Sequence, residues 1–219
     1  MEPTMPLPIH HAVGESGIIA VLVIDNPEKA VPLARTLIDN GISSMELTLR
    51  TETALESLRR IREEVPEMLA GVGTILAPDQ VDAAQDADAA FGVAPGFHPA
   101  VVDRAREKGL PYAPGISTPS EIEAAVEKGC RVLKYFHAEG MGGTRYLRGV
   151  NAPYGFLNLK YIPLGGLNIS NSRGYLEMPE ILAIGGSWIA PREAIAAGDW
   201  DSIGRNAAEA ARVAREVRG

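Results

Sequence analysis

Lys134 stands inside Arg131-Val132-Leu133-Lys134-Tyr135-Phe136, a run otherwise rich in the apolar and β-favouring residues of a buried strand. Burying an ammonium without a partner is costly, so lysine is rarely buried for structural reasons alone. A desolvated lysine can shed its proton, and the neutral amine attacks carbonyls to form imines. The alternative is a lysine at a strand end whose head group reaches back to water.

A second set of chemically capable residues closes an earlier apolar stretch, Glu46-Leu47-Thr48-Leu49-Arg50-Thr51. Strand alternation puts Glu46, Thr48 and Arg50 on one face, and likewise pairs Lys134 with Phe136. Arg50 can hold a carboxylate through two parallel hydrogen bonds, and Glu46 can move protons directly or through a water. A structural Glu–Arg pair is the competing reading. The third set consists of small residues: Gly71-Val72-Gly73-Thr74, Ala94-Pro95-Gly96, Pro114-Gly115-Ile116-Ser117-Thr118, Pro163-Leu164-Gly165-Gly166 and Ile184-Gly185-Gly186-Ser187. Turn chemistry explains any one of them. Together they offer backbone N–H groups, those of Gly165, Gly166 and Gly186 beside Ser187, that can cradle an anion.

The elements that position these groups alternate along the chain. Apolar strands are expected at about 18–24, 44–49, 68–73, 89–93, 110–113, 131–136, 159–163 and 181–184, with helical stretches between most of them. Thr118-Pro119-Ser120-Glu121 is a strong helix start, and Asn26-Pro27-Glu28 is another. Eight short strands alternating with helices in 219 residues predict an α/β fold, a single (β/α)₈ TIM barrel over 17–219, with residues 1–16 as an N-terminal arm. A doubly wound sheet is the runner-up. In a barrel the strand ends converge on one face, where active sites are built.

Composition narrows the partners. The chain is 46% hydrophobic and 22% charged with a net charge of −7, which disfavours nucleic acid and anionic membranes as partners. No apolar run approaches the roughly 20 residues of a membrane span. The start of the chain lacks the charged and apolar segments of a secretory signal, so a cytoplasmic location is expected. Cys130, the single cysteine, reads as a small buried hydrophobe. His10, His11, His98 and His137 show no metal-ligand spacing, so neither metal nor cofactor is expected.

Taken together and in order, Glu46–Thr51, Gly71–Thr74, Pro95-Gly96, Pro114–Thr118, Leu133–Phe136 and Gly185-Gly186-Ser187-Trp188 resemble the 2-keto-3-deoxy-6-phosphogluconate and 4-hydroxy-2-oxoglutarate aldolases. The similarity runs from about Ile18 to the C-terminus. It implies a class I aldolase, a metal-free homotrimeric lyase that releases pyruvate and an aldehyde from a 2-keto acid. It also implies Lys134 as the Schiff-base lysine and Glu46 as the proton-transferring base. Arg50 and Thr74, with the backbone around Pro95, would receive the pyruvate carboxylate beside Phe136. Gly165, Gly166, Gly186 and Ser187 would receive the substrate phosphate.

Two positions depart from the family. Proline is usual where this chain has His137, and threonine where it has Leu164. Both are candidate specificity positions, with a loop histidine of no role as the competing reading for His137, and they leave room for a different, even unphosphorylated, aldehyde partner. A phosphate-binding isomerase using Glu46 as base, or a non-catalytic sugar-acid binder, would fit the same strand ends without forming a reducible imine.

Overall fold

A computed structural model describes residues 7–219, and their side chains from His10 onward. In chain order the elements are α1 (Leu7–Ser16), β1 (Ile18–Leu22), α2 (Ala30–Asp39), β2 (Ser44–Thr48), α3 (Ala54–Glu64), β3 (Leu69–Gly73), α4 (Pro78–Asp86), β4 (Gly92–Val93), α5 (Pro99–Lys108), β5 (Tyr112–Ala113), β6 (Gly115–Ile116), α6 (Pro119–Glu127), β7 (Val132–Phe136), α7 (Gly143–Asn151), β8 (Lys160–Leu164), α8 (Ile169–Leu176), β9 (Ile184–Gly186), α9 (Arg192–Ala197) and α10 (Trp200–Arg218). Of the expected N-terminal arm, residues 1–6 lie outside the described residues. Residues 7–16 form α1, whose Val13 is fully buried against Leu182 and Ala183.

The fold is α/β with parallel strands throughout. One sheet runs β5-β4-β3-β2-β1-β9 and the other β6-β7-β8. Nine strands replace the eight expected because Pro114 divides the fifth in two. Without an N–H it cannot extend the ladder as a donor, so β5 pairs with β4 while β6, one residue on, pairs with β7. Beyond β8 a single parallel bridge joins Tyr161 to Ile181, with Leu182 N–H donating to the Tyr161 carbonyl at 2.9 Å.

Alternation divides the core into two clusters. Ile19, Val132, Ile162 and Leu164 pack with Phe91, Val93 and Ala183 on one face of the strands. Ile18, Ala20, Leu133, Tyr135 and Tyr161 pack with the helices on the other. The strands are therefore covered on both faces, as their continuous apolar runs require. Cys130 is buried in the second cluster.

Helix starts follow their cap residues. Thr118 and Glu121 form a reciprocal capping box at α6. Asn26 accepts from Glu28 N–H, but the turn it opens is a short 3₁₀ segment, Pro27–Lys29, ahead of α2. Helix α7 has no counterpart among the helices expected from sequence. Its glycine-rich entry at Gly140, Gly142 and Gly143 reads as loop, yet Leu147 and Val150 are buried on one side of it. Among the described residues no helix is long and apolar enough to cross a membrane.

Candidate active site

Glu46 on β2 and Lys134 on β7 are 88 residues apart in sequence and meet through the strands' shared inner face. Lys134 Nζ lies 2.9 Å from Glu46 Oε1 and 3.2 Å from Oε2. Both are nearly excluded from solvent, at 4% and 2% exposure. The lysine is thus buried as expected, but not among apolar groups alone: a carboxylate balances its charge, as burial of an ion requires. Phe136, two residues along β7, places its ring 5.9 Å from the ammonium. Gly115 is the register partner of Lys134, and the Pro114 carbonyl accepts the Lys134 backbone N–H at 2.8 Å.

Glycine makes room for this pair. A Cβ on Gly73 would lie 1.7 Å from Glu46 Oε1, so the carboxylate occupies the space a side chain would take on β3. Gly185 does the same for Leu164, whose Cγ lies 2.5 Å from where a Cβ would be.

Beyond the end of β2, Arg50 projects from an exposed position. Its Nε donates to Thr48 Oγ1 at 3.1 Å, and Thr48 Oγ1 donates to the Leu22 carbonyl at 3.0 Å. The chain Leu22–Thr48–Arg50 fixes one edge of the guanidinium. Its terminal nitrogens make no hydrogen bond or ion pair among the described residues, leaving that edge able to take a carboxylate. Thr74, immediately after β3, holds φ = +64°, a left-handed conformation costly for a β-branched residue. Such outliers persist where the surroundings over-determine them, commonly at ligand sites.

All twelve side chains and glycines singled out in the sequence surround one cavity of about 410 Å³: Glu46, Arg50, Thr74, Pro95, Lys134, Phe136, His137, Leu164, Gly165, Gly166, Gly186 and Ser187. It also draws in Val21, Thr48, Leu167 and Gly185. Thr48 and Gly185 were signalled by strand alternation and by the glycine cluster. Val21 sits in an all-apolar run that hides which face it takes, and Leu167 carries no polar signature. Away from the cavity, in the core between strands and helices, burial and the neighbouring Glu139 carboxylate push the Tyr175 phenol well above its usual range, while burial lifts that of Tyr135 to about 12.

The family model of KDPG and KHG aldolases matches residues 9–206. The chain belongs to this family. It is 42% identical over 195 residues to the 2-dehydro-3-deoxy-phosphogluconate aldolase of Treponema pallidum, covering 89% of this chain and 92% of the relative. It is 39% identical to the KHG/KDPG aldolase of Escherichia coli K12, covering 88% and 90%. The crystal structure of KDPG aldolase from Legionella pneumophila, with pyruvate captured as a covalent carbinolamine, superposes with a TM-score of 0.86 at 33% identity, covering 91% and 96%. The aldolase of Zymomonas mobilis with 3-phosphoglycerate gives a TM-score of 0.87 at 31% identity, covering 98% and 100%.

The two departures from the family pattern both face this aldolase's cavity. Leu164 is 5% exposed, its side chain laid over Gly185 and packed among Ile162 and Ala183. His137 is exposed on the adjoining strand end, beside Gly165.

Proposed function

We propose that the chain is a class I aldolase that cleaves 2-keto-3-deoxy-6-phosphogluconate, or the related 4-hydroxy-2-oxoglutarate, into pyruvate and an aldehyde. The observation that carries this reading is the buried Lys134–Glu46 contact at 2.9 Å, inside a cavity whose rim offers an arginine for a carboxylate and paired glycines for a second anion. The Legionella relative's covalent pyruvate adduct supports the imine chemistry, and the 3-phosphoglycerate bound in the Zymomonas enzyme supports a phosphorylated three-carbon end.

Proton transfer from Lys134 to Glu46 converts the ion pair into an amine and a carboxylic acid without moving either residue. The amine attacks the C2 ketone while Arg50 and Thr74, with the backbone around Pro95, hold the C1 carboxylate. Glu46 gives its proton to the carbinolamine hydroxyl, which departs as water and leaves an iminium. Glu46, ionised again and acting at least partly through a water, takes the C4 hydroxyl proton. The C3–C4 bond breaks, the aldehyde departs, and the electron pair enters the iminium to give an enamine. Protonation at C3 and hydrolysis release pyruvate and restore Lys134.

The closed (β/α)₈ barrel belongs to the same proposal. It is supported by the single residue between β5 and β6 and by the Tyr161–Ile181 bridge from β8 toward β9. A homotrimer and a cytoplasmic location rest on the resemblance and on the reading of the sequence. Light scattering tests the first and fractionation the second.

The aldolase is tested by incubation with pyruvate and borohydride, followed by peptide mapping. A single reduced pyruvyl adduct on Lys134, absent from Lys134→Ala, is the expected result. A folded protein that gives no adduct overturns the mechanism and favours an isomerase or a sugar-acid binder.

A further inference from the structure

The mechanism above leaves His137 unused, although its ring lines the cavity. Beyond the strand ends, Ala138 N–H donates to the Leu164 carbonyl at 2.8 Å and Glu139 N–H to that of Gly165 at 3.0 Å. These bonds prolong the β7–β8 pairing and press residue 137 against the glycine pair. A Cβ on Gly165 would lie 2.7 Å from His137 Cδ2, and one on Gly166 would lie 3.4 Å from Cε1. Cγ lies as close to the first position as Cδ2, at 2.7 Å, so the imidazole ring lies against Gly165 and reaches toward Gly166 through Cε1, with Nε2 between Cδ2 and Cε1.

The other ring nitrogen is already committed. Gly140 N–H donates to His137 Nδ1 at 3.2 Å, which uses the Nδ1 lone pair and assigns the proton of the neutral ring to Nε2. The nearest carboxylate is turned aside: Glu139 accepts the Tyr175 hydroxyl proton, and its Oε1 lies toward Gly143. Beside the glycine pair, Asn171 Nδ2 is already engaged on the Gly166 carbonyl at 3.1 Å, whereas His137 Nε2 is a side-chain donor on the cavity wall with no partner among the described residues.

We propose that His137 is a specificity-determining residue whose Nε2–H donates to the terminal anionic group of the substrate's aldehyde half, alongside the backbone N–H groups of Gly165 and Gly166. This rests on the aldolase reading. The shared chemistry is an oxyanion, either a phosphate or a carboxylate.

The test compares kcat/KM on three substrates with the same pyruvate half: 2-keto-3-deoxy-6-phosphogluconate, 4-hydroxy-2-oxoglutarate, and 2-keto-3-deoxygluconate, whose end is neutral. His137→Ala is expected to lose about tenfold on the phosphorylated substrate, the size of one hydrogen bond to a charged group, and less than twofold on the neutral one. His137→Gln, whose side-chain amide can present an N–H near the Nε2 position, is expected to recover most of the loss. Borohydride trapping of pyruvate on Lys134 should be the same in all three proteins. A loss confined to the carboxylate-ended substrate supports the contact with that anion as its partner. An equal loss on all three substrates, or none on either anionic one, overturns the proposal. Failure of the aldolase reading is separately visible, because the unmodified protein would then give no adduct.

Discussion

Gly73 and Glu46 share one space: a Cβ on Gly73 would fall 1.7 Å from Glu46 Oε1 and 2.4 Å from Cδ. The carboxylate is therefore positioned from two sides, by the Lys134 ammonium in front and by the bare backbone of β3 behind. Gly73→Ala must displace Glu46, because the atom in the way is its buried head group. Turnover is expected to fall by about a hundredfold, the scale of a lost general base, with far-ultraviolet circular dichroism unchanged. Steady-state cleavage beside a melting curve checks this. Activity within threefold of the parent would mean that Glu46 reaches the substrate from another rotamer.

The buried pair predicts a stability asymmetry. Lys134→Met leaves Glu46, 2% exposed, with no cation in contact, and removing one member of a buried pair costs about 3–5 kcal/mol. Replacing both residues, as Lys134→Met with Glu46→Leu, removes the uncompensated charge and is expected to return to within about 1 kcal/mol of the parent. Urea unfolding of the two single variants and the double gives the coupling directly.

How far the sequence carried this reading depends on what each signal could encode. Lys134 and Glu46 were legible because a charged residue inside an apolar strand is rare enough to demand a reason. The glycine pair at 165–166 was legible because several small clusters recur at strand ends. Helix α7 was not, since Gly140, Gly142 and Gly143 mask an amphipathic face carried by Leu147 and Val150. The division of the fifth strand at Pro114 depends on which neighbours the chain meets on either side, information that lies in β4 and β7. Thr74 at positive φ has no local sequence signature at all. The charge balance of Lys134 was not legible, because the 2.9 Å contact with Glu46 depends on how β2 and β7, 88 residues apart, are brought together.

Leu164 fills space that Gly185 vacates, presenting apolar surface where the family usually has a hydroxyl. Leu164→Thr is expected to change discrimination between substrates epimeric at C4 by about tenfold or more, since a site with a placed hydroxyl can reject a misplaced one. Pyruvate trapping on Lys134 should not change, because the proposed mechanism assigns the pyruvate carboxylate to Arg50, Thr74 and the backbone around Pro95. The check is the ratio of kcat/KM for the two epimers in parent and variant. An unchanged ratio would place the C4 hydroxyl away from Leu164.

Alkaline pH should unfold the protein through its tyrosines. Tyr112, Tyr135, Tyr161 and Tyr175 are at most 1% exposed, and burial raises the pKa of each, that of Tyr135 to about 12 and the others further. A raised value means that the folded chain keeps protons the unfolded chain releases. Stability is thus intact below about pH 10 and falls as pH rises beyond it. Urea midpoints at pH 9, 10 and 11 should decline in that order, with phenolate absorbance appearing together with unfolding. Two variants separate the contributions. The Tyr112 hydroxyl has no hydrogen-bond partner among the described residues, so Tyr112→Phe should be neutral or stabilising at pH 7 and should flatten the alkaline decline. The Tyr161 hydroxyl donates to Asn151 Oδ1 at 2.8 Å, so Tyr161→Phe should cost about 1 kcal/mol at pH 7 while flattening the same decline. If both variants keep the parent's slope above pH 10, the alkaline transition has another source.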